Sequence, residues 1–260
     1  MLNFCSLYSG STGNSLFVET ESTKILIDAG VSAKKIISAL EQIGTNINLI
    51  DAILVTHEHI DHVQSIGTLS KKYNIPVFSN IETWQAMDKQ SSKILTSNKK
   101  LFNISETFII NDLQITAFSI PHDAANPCGF NIIKDNTKIS IATDLGHITT
   151  SIIKALENSS FIMLESNYDT EVLKCCNYPY HLKTRIAGPN GHLSNTIAGK
   201  TISHLMNKGL EQVMLGHLSK ENNFPELAYK TVMEELSYTQ KNINIQVASR
   251  IMPSELLKIC

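Results

Sequence analysis

Residues Leu54–His62 read LVTHEHIDH, a bend that holds three of the chain's nine histidines together with Glu58 and Asp61. The stretch before it, DAILV from Asp51 to Val55, is apolar enough for a buried strand, so the polar cluster starts where that strand gives way to a helix. Side chains two apart on an extended segment point the same way, which lets His57 and His59 offer their imidazoles to one ion. Asp61 and His62 lie where the chain turns helical and can serve a second ion beside the first. A lone histidine in a loop needs only a hydrogen bond. Five polar side chains, two of them carboxylates, beside a hydrophobic core cost several kcal/mol unless a partner takes up their charge. The spacing H-x-H-x-D-H after an apolar strand therefore reads as metal ligation.

The rest of the chain bounds what such a centre can serve. Its 260 residues are 42% hydrophobic, enough for a sizeable core. Lys and Arg number 22 against 24 Asp and Glu, which excludes a sequence-independent nucleic-acid coat and confines any nucleic-acid contact to a local patch. The opening MLNFCSLYSG lacks a basic region followed by an apolar run, and nothing later approaches the ~20 apolar residues of a membrane span, so a soluble cytoplasmic protein is expected. The five cysteines at 5, 128, 175, 176 and 260 form no C-x-x-C pair and read as reduced, mostly structural residues.

Short β-like runs alternate with helical patterns throughout, with no linker or charge block, and predict one continuous α/β domain over 1–260. Strands are expected at LNFCSLYS, NSLFVET and KILIDAG, then a helix at SAKKIISALEQIG opened by Ser32 and closed by Gly44. After the quoted motif come a helix HVQSIGTLSKKY, a strand PVFS and a helix around ETWQAMDKQ. TFIIN, LQITAFSI, GFNIIK and KISIATD form a meander, and helix–strand alternation resumes to INIQVA. Each half begins with strands and ends in alternation, which suits two packed sheets covered by helices on both outer sides.

HEHIDH resembles the signature of the metallo-β-lactamase superfamily, whose fold is the four-layer αββα sandwich. The resemblance implies further ligands at strand ends: His122 in SIPHDA, Asp144 in IATDLG and His217 in VMLGHLS. By that likeness His57, His59 and His122 hold one ion, Asp61, His62 and His217 the other, and Asp144 is shared. Imidazole and carboxylate donors without thiolate suit zinc, manganese or iron. Two divalent ions ~3.5–4 Å apart activate water at neutral pH, and their excess positive charge favours an anionic substrate. Asp61 is additionally placed to orient the attacking water.

The segment PHDAANPCGF is unlike the G-H-[ST]-x-G stretch of thioesterase-type glyoxalases and true β-lactamases. The order MLESNYD, NGHLSN, MLGHLSKENN looks instead like the tRNA 3′-processing endonucleases. Carried over, Glu165 orients His192, and His192 protonates a leaving alkoxide or binds phosphate. The bland alternative for His192 is a helix-start neighbour bonded to Ser194 or Asn195. Lys183 and Arg185 lie just ahead of it as a local positive patch for phosphate, or equally as a solvated helix face. Ser194, Asn195 and Asn14 complete the expected substrate contacts, although SGSTGNS, which carries Ser11 to Asn14, is also an ordinary hairpin turn.

Over nearly the whole chain, SLYSGSTGNS, VTHEHIDH, TDLGH, LESNYD, NGHLSN and LGHLSKENN resemble the YycJ (WalJ) group of metallo-β-lactamase-fold proteins. That likeness implies a metal-dependent 5′-to-3′ DNA exonuclease acting in repair, linked to a two-component cell-wall regulon. The chain has no room for a β-CASP insert, since TDLG reaches FIMLES within about twenty residues. It also lacks the long arm with which many tRNA-processing relatives grip tRNA. The expected activity is a two-metal phosphodiesterase on DNA. A hydrolase of small cyclic or diester phosphates, or a metal-loaded regulatory partner, are the alternatives.

Overall fold

Fourteen strands build two seven-stranded sheets in the computed structural model, which describes residues 1–239 and 242–260. The first part of the chain gives β1 (Leu2–Tyr8), β2 (Ser15–Glu19), β3 (Lys24–Ile27), β4 (Ala52–Leu54), β5 (Val77–Ser79) and β6 (Lys99–Leu101). The second gives β7 (Thr107–Ile110), β8 (Leu113–Ser119), β9 (Cys128–Lys134), β10 (Thr137–Ala142), β11 (Phe161–Glu165), β12 (Gln212–Gly216) and β13 (Asn244–Val247). A last strand, β14 (Leu257–Ile259), returns to pair antiparallel with β1. The spatial orders are β14-β1-β2-β3-β4-β5-β6 and β13-β12-β11-β10-β9-β8-β7.

Successive side chains point to opposite faces, and the central strands are buried almost without a break, so both faces of each sheet are covered. Leu2 and Phe4 of β1 share the inter-sheet core with Phe161 and Met163 of β11, and the Phe4 and Phe161 rings meet with centroids 4.5 Å apart. The intervening residues face outward. Cys5 and Leu7 pack under α1 (Ala33–Gln42), while α2 (Ile60–Val63) leads into α3 (Ile66–Tyr73), whose Ile66 and Leu69 join the same core. α4 (Ile81–Ala86) and α5 (Asp88–Ser91) complete that layer. On the other side Ile162 and Leu164 of β11 lie under α6 (Thr150–Leu156), and the short α7 (Thr170–Cys175) and α8 (Tyr180–Ile186) precede the covering helices α9 (Asn195–Met206) and α10 (Pro225–Leu236). The result is the expected αββα layering. Burial of each large apolar side chain contributes ~1.5–3 kcal/mol.

Several local expectations shift. HVQSIGTLSKKY is two helices, because Ser65 bonds backwards through Oγ to the carbonyls of Ala29, at 3.1 Å, and Val31, at 2.7 Å. ETWQAMDKQ likewise divides at Met87. Ser32 holds the N-cap position of α1 through its backbone carbonyl, without a side-chain bond, and Gly44 ends the segment at φ +81°. β6, β14, α7 and α8 were not legible: β6 is an exposed three-residue strand, and α8 buries no residue, so neither shows an apolar period.

Candidate metal centre

The carboxyl ends of five strands converge on one place, as α/β sheets commonly arrange. β4 runs out into His57, His59, Asp61 and His62, β8 into His122, β10 into Asp144 and β12 into His217; the last residue of β11 is Glu165. Asp28, Asp144 and His217, each just past a strand, have φ of 63°, 57° and 54°. Non-glycine residues in that left-handed region carry ~1–2 kcal/mol of strain each, which the surrounding bonds must offset.

Four groups of ligand atoms lie within 4.8 Å of one another: His57, His59 and His122; Asp61, His62 and His217; His57, His62 and Asp144; and Asp144, Glu165, His192 and His217. Asp144 sits between the two triads, its Oδ2 3.2 Å from His62 Nε2 and its Oδ1 3.6 Å from His122 Nε2. His57 Nε2, His217 Nε2 and Asp144 Oδ2 are buried without a hydrogen-bond partner. Orphaned buried polar atoms of this kind cost ~1–3 kcal/mol each, and cations held by the overlapping groups of the cluster would satisfy all three. Two nitrogens bound tetrahedrally at zinc distances lie roughly 3.3 Å apart. His59 Nδ1 and His122 Nε2 are 3.3 Å apart. The donor set fits a divalent cation.

Outer partners fix each ring. His62 Nδ1 meets Asp28 Oδ2 at 2.7 Å, His217 Nδ1 meets Glu165 Oε1 at 2.7 Å, and His122 Nδ1 donates to the Gly191 carbonyl at 3.1 Å. Thr56 Oγ1 donates to Asp28 Oδ2 at 2.8 Å, so the bond at 3.0 Å from His57 Nδ1 is one that the hydroxyl accepts. In all four rings Nδ1 therefore carries the proton and Nε2 is left as the ligand atom, the usual carboxylate–histidine–metal logic.

The electrostatics show the same balance in protons. Burial lowers His57, and the neighbouring His62 charge adds to it. Burial also lowers His122. For His62 burial is outweighed by Asp144 and Asp28, which raise it well above the ordinary histidine value. For His217 burial is outweighed by the carboxylates of Asp144, Asp61 and Glu165, which lift it to about 10. Asp144 is held well below the usual carboxylate range, because the charges of His217 and His62 overcome its burial. Glu165 and Asp61 are lowered for the same reason, Glu165 chiefly by His192 and Asp61 chiefly by His217. Protons on His62 and His217 stand where a cation's charge would otherwise stand.

His192 joins this group through Glu165, not through Ser194 or Asn195: its Nδ1 lies 2.8 Å from Glu165 Oε1, the oxygen that also holds His217. Glu165 Oε2 accepts from the amides of Leu145 and Leu193, at 2.6 and 3.1 Å. The other expected substrate contacts are dispersed. Asn195 is buried and its amide is spent on Ser166 and Asn223, while Ser194 caps α9 through Ile197. Asn14 is buried too, its Nδ2 3.1 Å from His62 Nε2 and its Oδ1 accepting from Gly10. Lys183 donates to the Lys174 carbonyl and lines a groove away from His192, whereas Arg185 pairs with Asp123 beside His122. Asp28 and Thr56 were not singled out from the sequence, although an acid directly after the apolar run KILI was a usable signal.

Comparison with known proteins places this geometry. A family profile described as "Beta-lactamase superfamily domain" matches residues 23–217. Exodeoxyribonuclease WalJ of Streptococcus pneumoniae serotype 2 is 37% identical over 241 residues, covering 92% of this chain and 90% of that protein. Exodeoxyribonuclease YycJ of Bacillus anthracis is 36% identical over 235 residues, covering 90% and 89%. Among solved structures, the metallo-beta-lactamase fold protein YhfI from Bacillus subtilis superposes with a TM-score of 0.73 over 97% of this chain and 98% of its own, at 14% identity, which is a likeness of fold.

Proposed function

Because the chain belongs to the metallo-β-lactamase superfamily and is a metal-dependent hydrolase, we propose that it is a binuclear phosphodiesterase that degrades DNA from an end. The observation that carries this reading is the Glu165 carboxylate, whose Oε1 holds both His217 and His192 by Nδ1. Cleavage of a phosphodiester needs a proton at the departing sugar oxygen, and a histidine oriented by a buried acid beside the ligand cluster is suited to give it. The relatives named exodeoxyribonucleases support DNA as the substrate class.

In this reading His57, His59 and His122 would hold one cation and Asp61, His62 and His217 a second, with Asp144 within reach of both groups. Two divalent ions, zinc or manganese with iron also compatible with these donors, would polarise a phosphoryl oxygen and lower the pKa of a water. Asp61 would orient a water there, and His192, held through Nδ1 by Glu165, would supply the proton from Nε2. Polarity from 5′ to 3′ and a role in repair rest on the family resemblance. A cytoplasmic location is proposed alongside them; no helix among the described residues is long and apolar enough to cross a membrane. We further propose that residues 1–260 act as a single metallo-β-lactamase-like domain without a β-CASP insert, as the short path from β10 through α6 to β11 supports.

The test is to strip the protein of metal and incubate it with 5′-labelled and 3′-labelled DNA, adding zinc or manganese, beside an Asp61→Ala control. Metal-dependent and Asp61-dependent release of mononucleotides supports the proposal and gives the polarity. Hydrolysis of bis-p-nitrophenyl phosphate with intact DNA would replace it by small diesters as substrates.

A further inference from the structure

His192 forms part of the wall of a cleft of about 190 Å³ beside the ligand cluster. Tyr178, Leu182 and Ile186 give this cleft an apolar lining, and Ser11 and Ser219 contribute hydroxyls. Its one cationic side chain is Arg185, whose Nε and Nη2 both lie 2.7 Å from Asp123 Oδ2, next in sequence to His122. Tyr178, Leu182, Arg185 and Ile186 all come from α8 or its approach, a helix that buries no residue of its own. The helix contributes little to the core, and its residues instead furnish this cleft.

Resting on the phosphodiesterase reading, we propose that the cleft holds one unpaired nucleoside at the end of the strand, with its base against Tyr178. Arg185, kept in place by Asp123, would face the adjoining phosphate. Three features lead here. The volume is below the ~300–1,000 Å³ of sites for drug-sized ligands, so it accommodates one base and not a base pair. The lining pairs an aromatic ring and two aliphatic side chains with Arg185, whose charge is offset by Asp123 of the same wall, a composition that suits a base-stacking platform better than a cationic groove that follows a backbone. Finally, His192 lines both this cleft and a larger one beside Tyr168 and Ile197, and this one is also walled by Asp123 and Ser219, which adjoin His122 and His217, so on the phosphodiesterase reading its occupant belongs to the substrate. The terminal pair of a duplex end must then open before its nucleoside enters.

The experiment uses the full-length, metal-loaded protein and its Tyr178→Ala and Tyr178→Phe variants. KM for a single-stranded oligonucleotide should rise roughly 5- to 150-fold in Tyr178→Ala, the loss of one stacked base, and stay near the original value in Tyr178→Phe. An abasic residue at the degraded end should cost the unaltered protein a similar factor, and cost Tyr178→Ala little more. Unchanged KM in Tyr178→Ala, or two losses that multiply, would overturn the inference. If the unaltered protein leaves DNA intact, the nuclease reading fails, and calorimetric titration with deoxyadenosine monophosphate decides the cleft separately. Saturable binding weakened by Tyr178→Ala and restored by Tyr178→Phe supports it; no binding, or binding indifferent to Tyr178, refutes it.

Discussion

Replacing Glu165 by Gln keeps the side chain's volume and removes only its charge and one acceptor, at a position with no solvent exposure. The carboxylate accepts four bonds: from His192 at 2.8 Å, His217 at 2.7 Å, Leu145 N at 2.6 Å and Leu193 N at 3.1 Å. An amide cannot accept all four. With its nitrogen towards Leu145 and Leu193, two buried N–H donors are orphaned, at ~1–3 kcal/mol each, or about 2–6 kcal/mol in stability. With its nitrogen towards the histidines, both Nδ1 atoms must become acceptors, which moves their protons to Nε2 and takes His217 out of ligation. Either arrangement should also weaken metal binding, by the ~10–100-fold typical of a lost outer partner, and lower phosphodiester turnover by ~10²–10⁴-fold through His192. Chemical denaturation of the metal-free protein, chelator competition for metal and kcat on labelled DNA read the three effects. Stability, metal affinity and turnover all unchanged in Glu165→Gln would falsify the assignment of Glu165 as the group that sets both rings.

Metal binding should release protons near neutral pH, since His217 sits at about 10 and His62 well above its ordinary value while free histidine lies near 6.5. Calorimetry in buffers of different ionisation enthalpy reads the release; a buffer-independent enthalpy would remove the exchange of protons for cation. In the metal-free protein, the stability from these raised histidines is fully present below their unfolded pKa and is lost as pH rises, for His217 through about 10. Denaturant midpoints between neutral and alkaline pH should therefore fall, and a flat profile would contradict it. Asp28→Asn should reduce metal affinity ~10–100-fold by releasing His62 Nδ1, with equilibrium dialysis as the readout and undiminished affinity as the contrary result. Gly30→Ala would put a Cβ 1.5 Å from the Asp61 carbonyl, so the two loops must part. A loss of ~1–3 kcal/mol or more, with weaker metal binding, is expected from denaturation and dialysis, and an unperturbed variant would show that the contact is dispensable.

Much of the architecture was legible because its signals are local. The apolar runs at KILI, DAILV, KISIA and FIMLE alternate or persist over a few residues, and each became a strand of the αββα sandwich. The clustering of the candidate ligands was legible for the same reason: the four residues of H-x-H-x-D-H lie within six positions, so strand and turn geometry brings them together whatever surrounds them. β14 and α8 were not, because three exposed or edge residues and a helix without a buried face leave no pattern for a window to detect.

The sequence by itself carried the two-sheet layering and, through its local motif and its family likeness, the strand-end positions of the candidate metal donors. Tertiary structure alone decided how those donors are held. Asp28 reaches His62 across 34 positions only because β3 and β4 pair in parallel, and Glu165 meets His192 and His217, 27 and 52 positions away, because β11 and β12 end side by side. A covalent spacing fixes neighbours within a turn or a strand. Which nitrogen of each imidazole faces the centre depends instead on partners that come into reach once the sheets have closed.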